Sequence, residues 1–246
     1  MARFVKRRLG MEPDNADRMQ WLLEHRHSCR APFDPAQRVT EHELERIVAA
    51  ARWAPTAHNM QNFRLVAVDD RRILDELGRI RALVSPTFIA ENYRQLSWSE
   101  DELRRRKTGI LGTSFPASWR TDDPAKIPSH DARLLGESIA GAPLVIVVVF
   151  DPTQRAPASE GDMLGMISLG CVLENMWIAA HAQRLDVQVV SAFAAVDAEP
   201  AVKRLLAVPE PWRIAFALRI GHALSAKPAL RVRREPALFT GRNRFA

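Results

Sequence analysis

Two stretches of this chain carry side chains whose types and spacing could bind a small molecule. In His25-Arg26-His27-Ser28-Cys29-Arg30 the residues Arg26, Ser28 and Arg30 alternate. Two guanidinium groups and a hydroxyl on an extended segment are what a phosphate monoester needs, namely charged donors in fork geometry plus a neutral one. The intervening His25, His27 and Cys29 would share the other side of a strand as soft metal ligands. No fourth ligand lies at a familiar spacing, so no metal is expected. The second stretch follows Pro55 and packs Thr56, His58, Asn59, Gln61 and Asn62 into a few residues. Such a set of uncharged donors and acceptors suits a flat heterocycle with ring nitrogens and carbonyls. An ordinary capped helix-to-strand loop would use the same residues.

The elements that must position these stretches can be read from periodicity. Asp14 or Asn15 can cap a first helix with Met19, Leu22 and Leu23 on one face, ending near His25. Thr40-Glu41-His42-Glu43 is a capping box, and Leu44, Ile47, Val48 and Ala51 follow at helical spacing. Pro55 ends that helix, since it lacks an N–H and biases Ala54 away from helical geometry. Phe63 to Val68 alternates as a strand. Asp69 and Asp70 then cap a helix that turns Ile73, Leu74, Leu77 and Ile80 inward.

From Arg81 to Asp131 the pattern loosens. Helices are expected near Phe88 to Gln95 and, after Ser99-Glu100-Asp101-Glu102, from Glu100 to Leu111. Pro116, Pro124 and Pro128 punctuate a loop with Trp119, so about 81–131 reads as an insertion or lid in a single domain spanning 1–246. Pro143 to Phe150 is apolar on both faces and predicts a central strand covered twice. Met163 to Gln183 predicts a helix apolar nearly all round, with Gly165, Gly170, Ala179 and Ala180 as points of close approach. Further strands are expected at Val187 to Val190 and Trp212 to Ile220, with a short helix at Pro200 to Leu206 between them. The tail from His222 has little helical period.

The 246 residues are 47% hydrophobic, enough for a full core, and two dissimilar, distant cysteines make no disulfide framework. Neither a signal peptide nor a membrane span is expected, and a reducing, cytoplasmic setting fits best. A net charge of +6 and a pI of about 10.0 raise the question of a polyanion. Yet the arginines are dispersed among 29 acids, and no nucleic-acid-binding motif occurs. Solvated faces are the default for Lys6-Arg7-Arg8, Arg104-Arg105-Arg106-Lys107 and Arg231-Val232-Arg233-Arg234. No Walker loop, G-x-G-x-x-G turn or G-x-S-x-G elbow is present, so phosphate binding would come from side chains.

Arg26-His27-Ser28-Cys29-Arg30 and Ala51-Arg52-x-Ala54-Pro55-Thr56-Ala57-x-Asn59-x-Gln61-x-Phe63 resemble the two signature blocks of the nitroreductase family, at about the family's separation. The Leu144–Val149 strand, the Gly170–Ala180 helix with Asn175, the turn from Leu205 to Pro209, the strand ending at Gly221 and Arg234-Glu235-Pro236 follow in the same order. The resemblance implies an α+β fold with a central, mainly antiparallel sheet and surrounding helices, built as an intertwined homodimer with FMN at the subunit interface. Carried over, Arg26, His27, Ser28, Arg30 and Arg234, with Arg233 beside it, would bind the phosphate. Pro55, Thr56, Asn59 and Gln61 would lie against the isoalloxazine and ribityl chain, and Ser191-Ala192 would face flavin N5. Three positions depart from the pattern: Thr56 for Ser, Asn62 for Pro and Ala192 for Gly. Asn92, Arg105 and Lys107 are candidates for the contact to the pyrimidine carbonyl.

The activity implied is NAD(P)H-driven reduction of nitroaromatics, quinones or similar small-molecule acceptors by a ping-pong mechanism, with no catalytic nucleophile from the protein. Another flavin reaction on the same scaffold, a dehydrogenase or dehalogenase with a dedicated substrate, is the alternative. A basic, non-catalytic polyanion-binding protein is the alternative from a different class. No nucleic-acid or membrane partner is expected.

Overall fold

The computed structural model describes residues 13–81, 86–114, 123, 133–157, 160–225 and 230–245. Its centre is a four-stranded, wholly antiparallel sheet of β1 (Phe63–Val68), β4 (Leu144–Phe150), β6 (Arg213–Gly221) and β5 (Asp186–Val190), in the spatial order β1-β4-β6-β5. A separate pair, β2 (Ser97–Trp98) and β3 (Ile110–Leu111), is parallel. The run of β-branched residues in β4 explains its central place. Val145, Val147 and Val149 pack on one face and Leu144, Ile146 and Val148 on the other, all essentially without solvent contact. Burial of each such side chain contributes about 1.5–3 kcal/mol.

Helices cover both faces. On one lie α2 (Glu41–Arg52), through Ile47 and Ala51, and α7 (Met163–Ala182), through Leu169, Val172, Met176 and Ala180. On the other lie α3 (Arg71–Arg79), through Leu74 and Leu77, Ile139 of α6 (Arg133–Ala140) and Val202 of α8 (Glu199–Leu205). Gly78 of α3 and Gly136 of α6 make that helix contact possible. A Cβ on Gly78 would stand 2.7 Å from the Gly136 carbonyl, and one on Gly136 2.2 Å from the Gly78 carbonyl.

Local chemistry sets most boundaries. Thr40 caps α2 in the reciprocal box with Glu43, and the carboxylate of Asp70 accepts the Arg72 and Ile73 N–H groups at the start of α3. The first helix, α1 (Pro13–His25), begins earlier than expected. Asp14 and Asn15, expected to precede it as caps, lie within these bounds. Helices α4 (Pro86–Leu96) and α5 (Glu100–Arg106) occupy the insertion. The expected helix to Leu111 stops at Arg106, because Lys107 takes a left-handed conformation (φ 58°) and Gly109 follows at φ 99°. Helix α6 had no counterpart in the sequence reading. The expectations for Pro116, Trp119, Pro124 and Pro128 fall outside the described residues, as does Lys6-Arg7-Arg8.

One reading of α7 needs correction. By length and composition this helix could cross a membrane, as core helices of soluble proteins also could, and it is its polar residues that argue against a span. Those residues are engaged within the chain: Glu174 pairs with Arg26 at 2.7 Å, and Asn175 donates to the Ala50 carbonyl at 3.1 Å. Gly170 is not a close-approach point within the chain, since a Cβ there would meet nothing within 4 Å.

Candidate functional site

After α1 the chain runs out along the edge of the sheet. Ser28 forms a parallel bridge with Val187, the Cys29 N–H donates to the Val187 carbonyl at 2.8 Å, and Phe33 bridges Ala223. This lays residues 26–33 beside β5 and past the end of β6. The alternation read from sequence is realised only at its end: Cys29 is buried and Arg30 exposed, whereas His27 and Ser28 are both half-buried.

Beneath the segment lies Arg219 of β6, wholly buried. Its guanidinium donates to the carbonyls of Cys29 (3.2 Å), Ala31 (2.5 Å) and Ser138 (3.2 Å), and to Gln188 Oε1 at 2.6 Å. It also stacks 4.1 Å over the Phe33 ring. Burial pulls its pKa down to about 10, still far above neutrality, so the group remains a cation. A charge this deep is tolerated because its donors meet acceptors. Sequence reasoning missed Arg219. The available signal was a lone Arg inside an otherwise apolar strand, whose cross-strand neighbour is Gln188.

A cleft of about 790 Å³ opens over the segment. Its walls bring together residues from opposite ends of the chain: His27, Ser28 and Arg30 from the arginine block, and Val232 and Arg233 from the tail. Lys107, a candidate from the sequence, supplies a further wall with Thr108, Thr113 and Ser114 of the insertion, which the sequence did not single out. The tail reaches this place because Arg231 donates to the Glu24 carbonyl at the end of α1. Three cationic side chains and several hydroxyls around one cleft fit a phosphate group.

Other predicted residues are elsewhere. Arg26 is not in the cleft wall: its Nε donates to Glu174 and its guanidinium sits 4.6 Å from the Trp177 ring centroid. Arg234 is exposed and also outside that wall. Of the candidates for the pyrimidine contact, Lys107 lines the cleft, Arg105 is paired with Glu102 in solvent, and the Asn92 side chain is outside the described set. Arg104 and Arg106 are likewise paired, with Glu100 and Glu102, which agrees with a solvated face.

The loop after α2 has a different character. His58, Asn59 and Gln61 all adopt left-handed backbone, with φ of 51°, 53° and 47°. Such geometry in non-glycine residues costs about 1–3 kcal/mol each and persists only where surroundings enforce it. Here the Gln61 N–H donates to Thr56 Oγ1 (3.2 Å), Gln61 Nε2 to Asn59 Oδ1 (3.0 Å) and the Ala57 N–H to Ser168 Oγ of α7 (2.9 Å). Asn62, the departure from the family's proline, is buried and donates to the Gln154 carbonyl at 2.9 Å, tying the loop to the turn after β4. Pro55, Asn59 and Gln61 are exposed, and none of the loop lines the 790 Å³ cleft. Along α7, Ser168 is six residues from Glu174, the partner of Arg26, and thirteen from His181, beside His27. At 1.5 Å per residue these anchors lie roughly 9 and 20 Å apart along the axis. Ser191 and Ala192 follow β5 and open a 3-10 turn, Ser191 exposed and Ala192 half-buried.

Residues 23–222 match the model of the nitroreductase family, whose members are flavin-dependent enzymes. The chain belongs to that family. It is 27% identical over 210 residues to the 5,6-dimethylbenzimidazole synthase of Rhodospirillum rubrum, covering 82% of this chain and 78% of that protein. Among solved structures it is similar to an FMN-dependent nitroreductase from Clostridium difficile (TM-score 0.58, 16% identity, 91% of this chain and 98% of that one). A Desulfovibrio desulfuricans protein in complex with FMN gives a TM-score of 0.60 at 18% identity, with 96% and 99% covered. Nitroreductase A of Vibrio parahaemolyticus gives 0.59 at 16%, with 92% and 75% covered. At these identities the structural likeness shows the fold.

Proposed function

We propose that the protein is an FMN-dependent oxidoreductase that takes reducing equivalents from NAD(P)H and passes them to a nitroaromatic, quinone or similar acceptor. The observation that carries this reading is the cleft in which Ser28, Arg30, Arg233 and Lys107 converge. They would hold one terminal phosphate, and the chain has no glycine-rich turn for a pyrophosphate. Ser191 lies four residues beyond Val187, the bridge partner of Ser28, so about 13 Å of strand separates the phosphate end from the predicted ring end.

When bound, the flavin supplies the hydride and electron chemistry. The protein orients it: Arg30 and Arg233 bind the phosphate, and backbone N–H groups at Ser191-Ala192 face the ring. The amides of Asn59 and Gln61 supply hydrogen bonds to a planar heterocycle. Within one chain this loop stands away from the cleft, and exposed apolar side chains flank its anchor on α7: Met163 (67% exposed), Met166 (50%) and Ile167 (55%), with Trp53 at 79% near the loop itself. A patch of this kind marks an interface, so the loop would serve the cleft of a second copy in a cytoplasmic homodimer. Donor and acceptor would then use the one open ring face in turn. The insertion at about 81–131 would act as a lid. Of its aromatic residues only Trp98 has a described side chain; those of Phe88, Tyr93, Phe115 and Trp119 lie outside the described set.

Chromatography of heat-released ligand should yield FMN, and NAD(P)H oxidation should rise on adding a nitroaromatic, with parallel double-reciprocal lines. FAD, or a colourless protein that FMN cannot reconstitute, would overturn the reading. The likeness to a 5,6-dimethylbenzimidazole synthase favours a second reading, a dedicated flavin reaction of that kind. No NAD(P)H oxidation with any acceptor, together with formation of 5,6-dimethylbenzimidazole, would select it.

A further inference from the structure

The arginine segment has a second use. Its His27 and Cys29 approach Asp186, where β5 begins. One ligand atom each of His27, Cys29 and Asp186 lies within 4.8 Å of the others. We propose that these three side chains form a binding site for a soft divalent cation such as Zn²⁺, with His181, whose ring neighbours that of His27, as the candidate for a fourth ligand.

Four observations support this. Thiolate sulfur, imidazole nitrogen and carboxylate oxygen are all donor types that zinc takes. Ligands at 2.0–2.3 Å in a tetrahedron stand roughly 3.3–3.8 Å apart, so closing the site needs a contraction of about 1 Å. His181, at the end of α7, presents a buried Nε2 with no hydrogen-bond partner among the described residues, its ring edge-on to His27 with centroids 6.5 Å apart. A buried nitrogen of this kind next to one of the three ligands calls for a partner. Asp186 is already oriented as metal-bound carboxylates are: Oδ2 accepts the Ala223 N–H at 3.0 Å, and Oδ1 faces His27 Nε2 at 3.8 Å. Finally, His27 and Cys29 also line the large cleft, which provides a route of entry.

Charge permits an ion here. Arg219 and Asp186 already offset one another, and a divalent cation would arrive with loss of the Cys29 proton to solvent, so the local charge rises by only one. Burial holds the Cys29 thiol above its ordinary pKa, so the metal must displace that proton. Gln188 and the carbonyls of Cys29, Ala31 and Ser138 engage the Arg219 guanidinium and keep it in its own pocket. By spacing alone His25 would share one side of a strand with His27 and Cys29. In the fold His25 turns away, its Nδ1 bonded to the Trp21 carbonyl and its ring stacked on Trp21. Asp186 takes its place. An ion there would stitch the arginine segment to β5 and α7.

The site does not depend on the flavin, and the test reads the two separately. Full-length protein as purified is dialysed against a chelator and titrated with Co²⁺ by difference absorption, with flavin content measured in every sample. We expect saturation at one Co²⁺ per chain, a thiolate-to-cobalt charge-transfer band, displacement by Zn²⁺ and a rise in Tm with Zn²⁺. C29S should abolish the charge-transfer band and D186N should weaken binding at least tenfold, while C171S should bind as the unaltered protein does. Only two cysteines exist, so the full band in C171S assigns the thiolate to Cys29 even if C29S does not fold. Absence of saturable binding below millimolar Co²⁺, a folded C29S that binds normally, or loss of the band in C171S would overturn the inference whatever the flavin content.

Discussion

The arginine segment and the loop from Pro55 to Gln61 are both built from polar residues, yet the fold treats them in opposite ways. The first is supported from below: Arg219 fixes its carbonyls, the edge of β5 fixes its register, and the tail and insertion wall it in. The second is supported from within, by bonds among Thr56, Asn59 and Gln61 and by one to Ser168, and it holds three left-handed residues in solvent. One is a recess prepared for a charged group. The other is a strained, exposed edge anchored elsewhere on α7. On the proposed two-chain reading, each chain carries all the residues of a site and completes only half of it.

The comparison breaks first at Arg219. Arg219→Met leaves three carbonyls and Gln188 without their donor, which should cost about 3–5 kcal/mol of stability by calorimetry. FMN affinity should fall with it. A stable variant with normal affinity would show that the segment needs no support from beneath.

Next come the cleft cations. Arg30→Ala and Arg233→Ala should each weaken FMN binding to apoprotein by about 1.5–3 kcal/mol, the range for charge-assisted bonds. Arg26→Ala should lose less, because Glu174 and Trp177 already hold that side chain. An equal or larger loss at Arg26 would shift the phosphate toward α7.

A smaller effect is expected at Glu199, which anchors the start of β6, the strand that carries Arg219 near its other end. Burial alone would raise the Glu199 pKa, but the Arg213 guanidinium and the Ile214 N–H together hold it below the ordinary glutamate value. A depressed folded-state pKa means stabilisation that is present above the glutamate range, about pH 4.3, and lost as pH falls through the folded value. Glu199→Gln should therefore cost about 1–2 kcal/mol at neutral pH. The gap in Tm between variant and parent should close in acid. A gap that persists at pH 2 would assign the loss to packing.

Much of this architecture was legible beforehand because its signals are local. The capping box of α2, the Asp70 cap and the β-branched run of β4 act within a few residues, and each falls where periodicity placed it. The alternation of Arg26-Ser28-Arg30 with His27-Cys29 was equally readable. What stayed hidden depends on register and tertiary closure. The pairing of Arg219 with Gln188 needs the β5–β6 register, the approach of Asp186 to Cys29 needs the edge bridge, and the two-residue strands β2 and β3 are too short to show a period. Lys107 reaches the cleft only because α5 ends in a left-handed turn that Glu100 to Leu111 did not advertise.

The smallest expected effect lies in the loop. Gln61→Gly removes a side chain from a left-handed position, so stability should change by less than about 1 kcal/mol. FMN affinity should fall, since the amide is lost. Unchanged affinity would leave the loop as mere connection.

The account rests most heavily on the proposal that the cleft of one chain is completed by the loop of another, and mixed dimers test it directly. Chains carrying Arg30→Ala with Arg233→Ala are combined with chains carrying Thr56→Ala, Asn59→Ala and Gln61→Ala, neither of which should retain FMN alone. A heterodimer of the two has one site with both halves intact, so an equal, randomly assorted mixture should recover about a quarter of the parental FMN sites. Heterodimers isolated through two different tags should bind one FMN per pair. No recovery in a verified heterodimer would show that each chain's loop and arginine segment must act together, which contradicts the two-chain site.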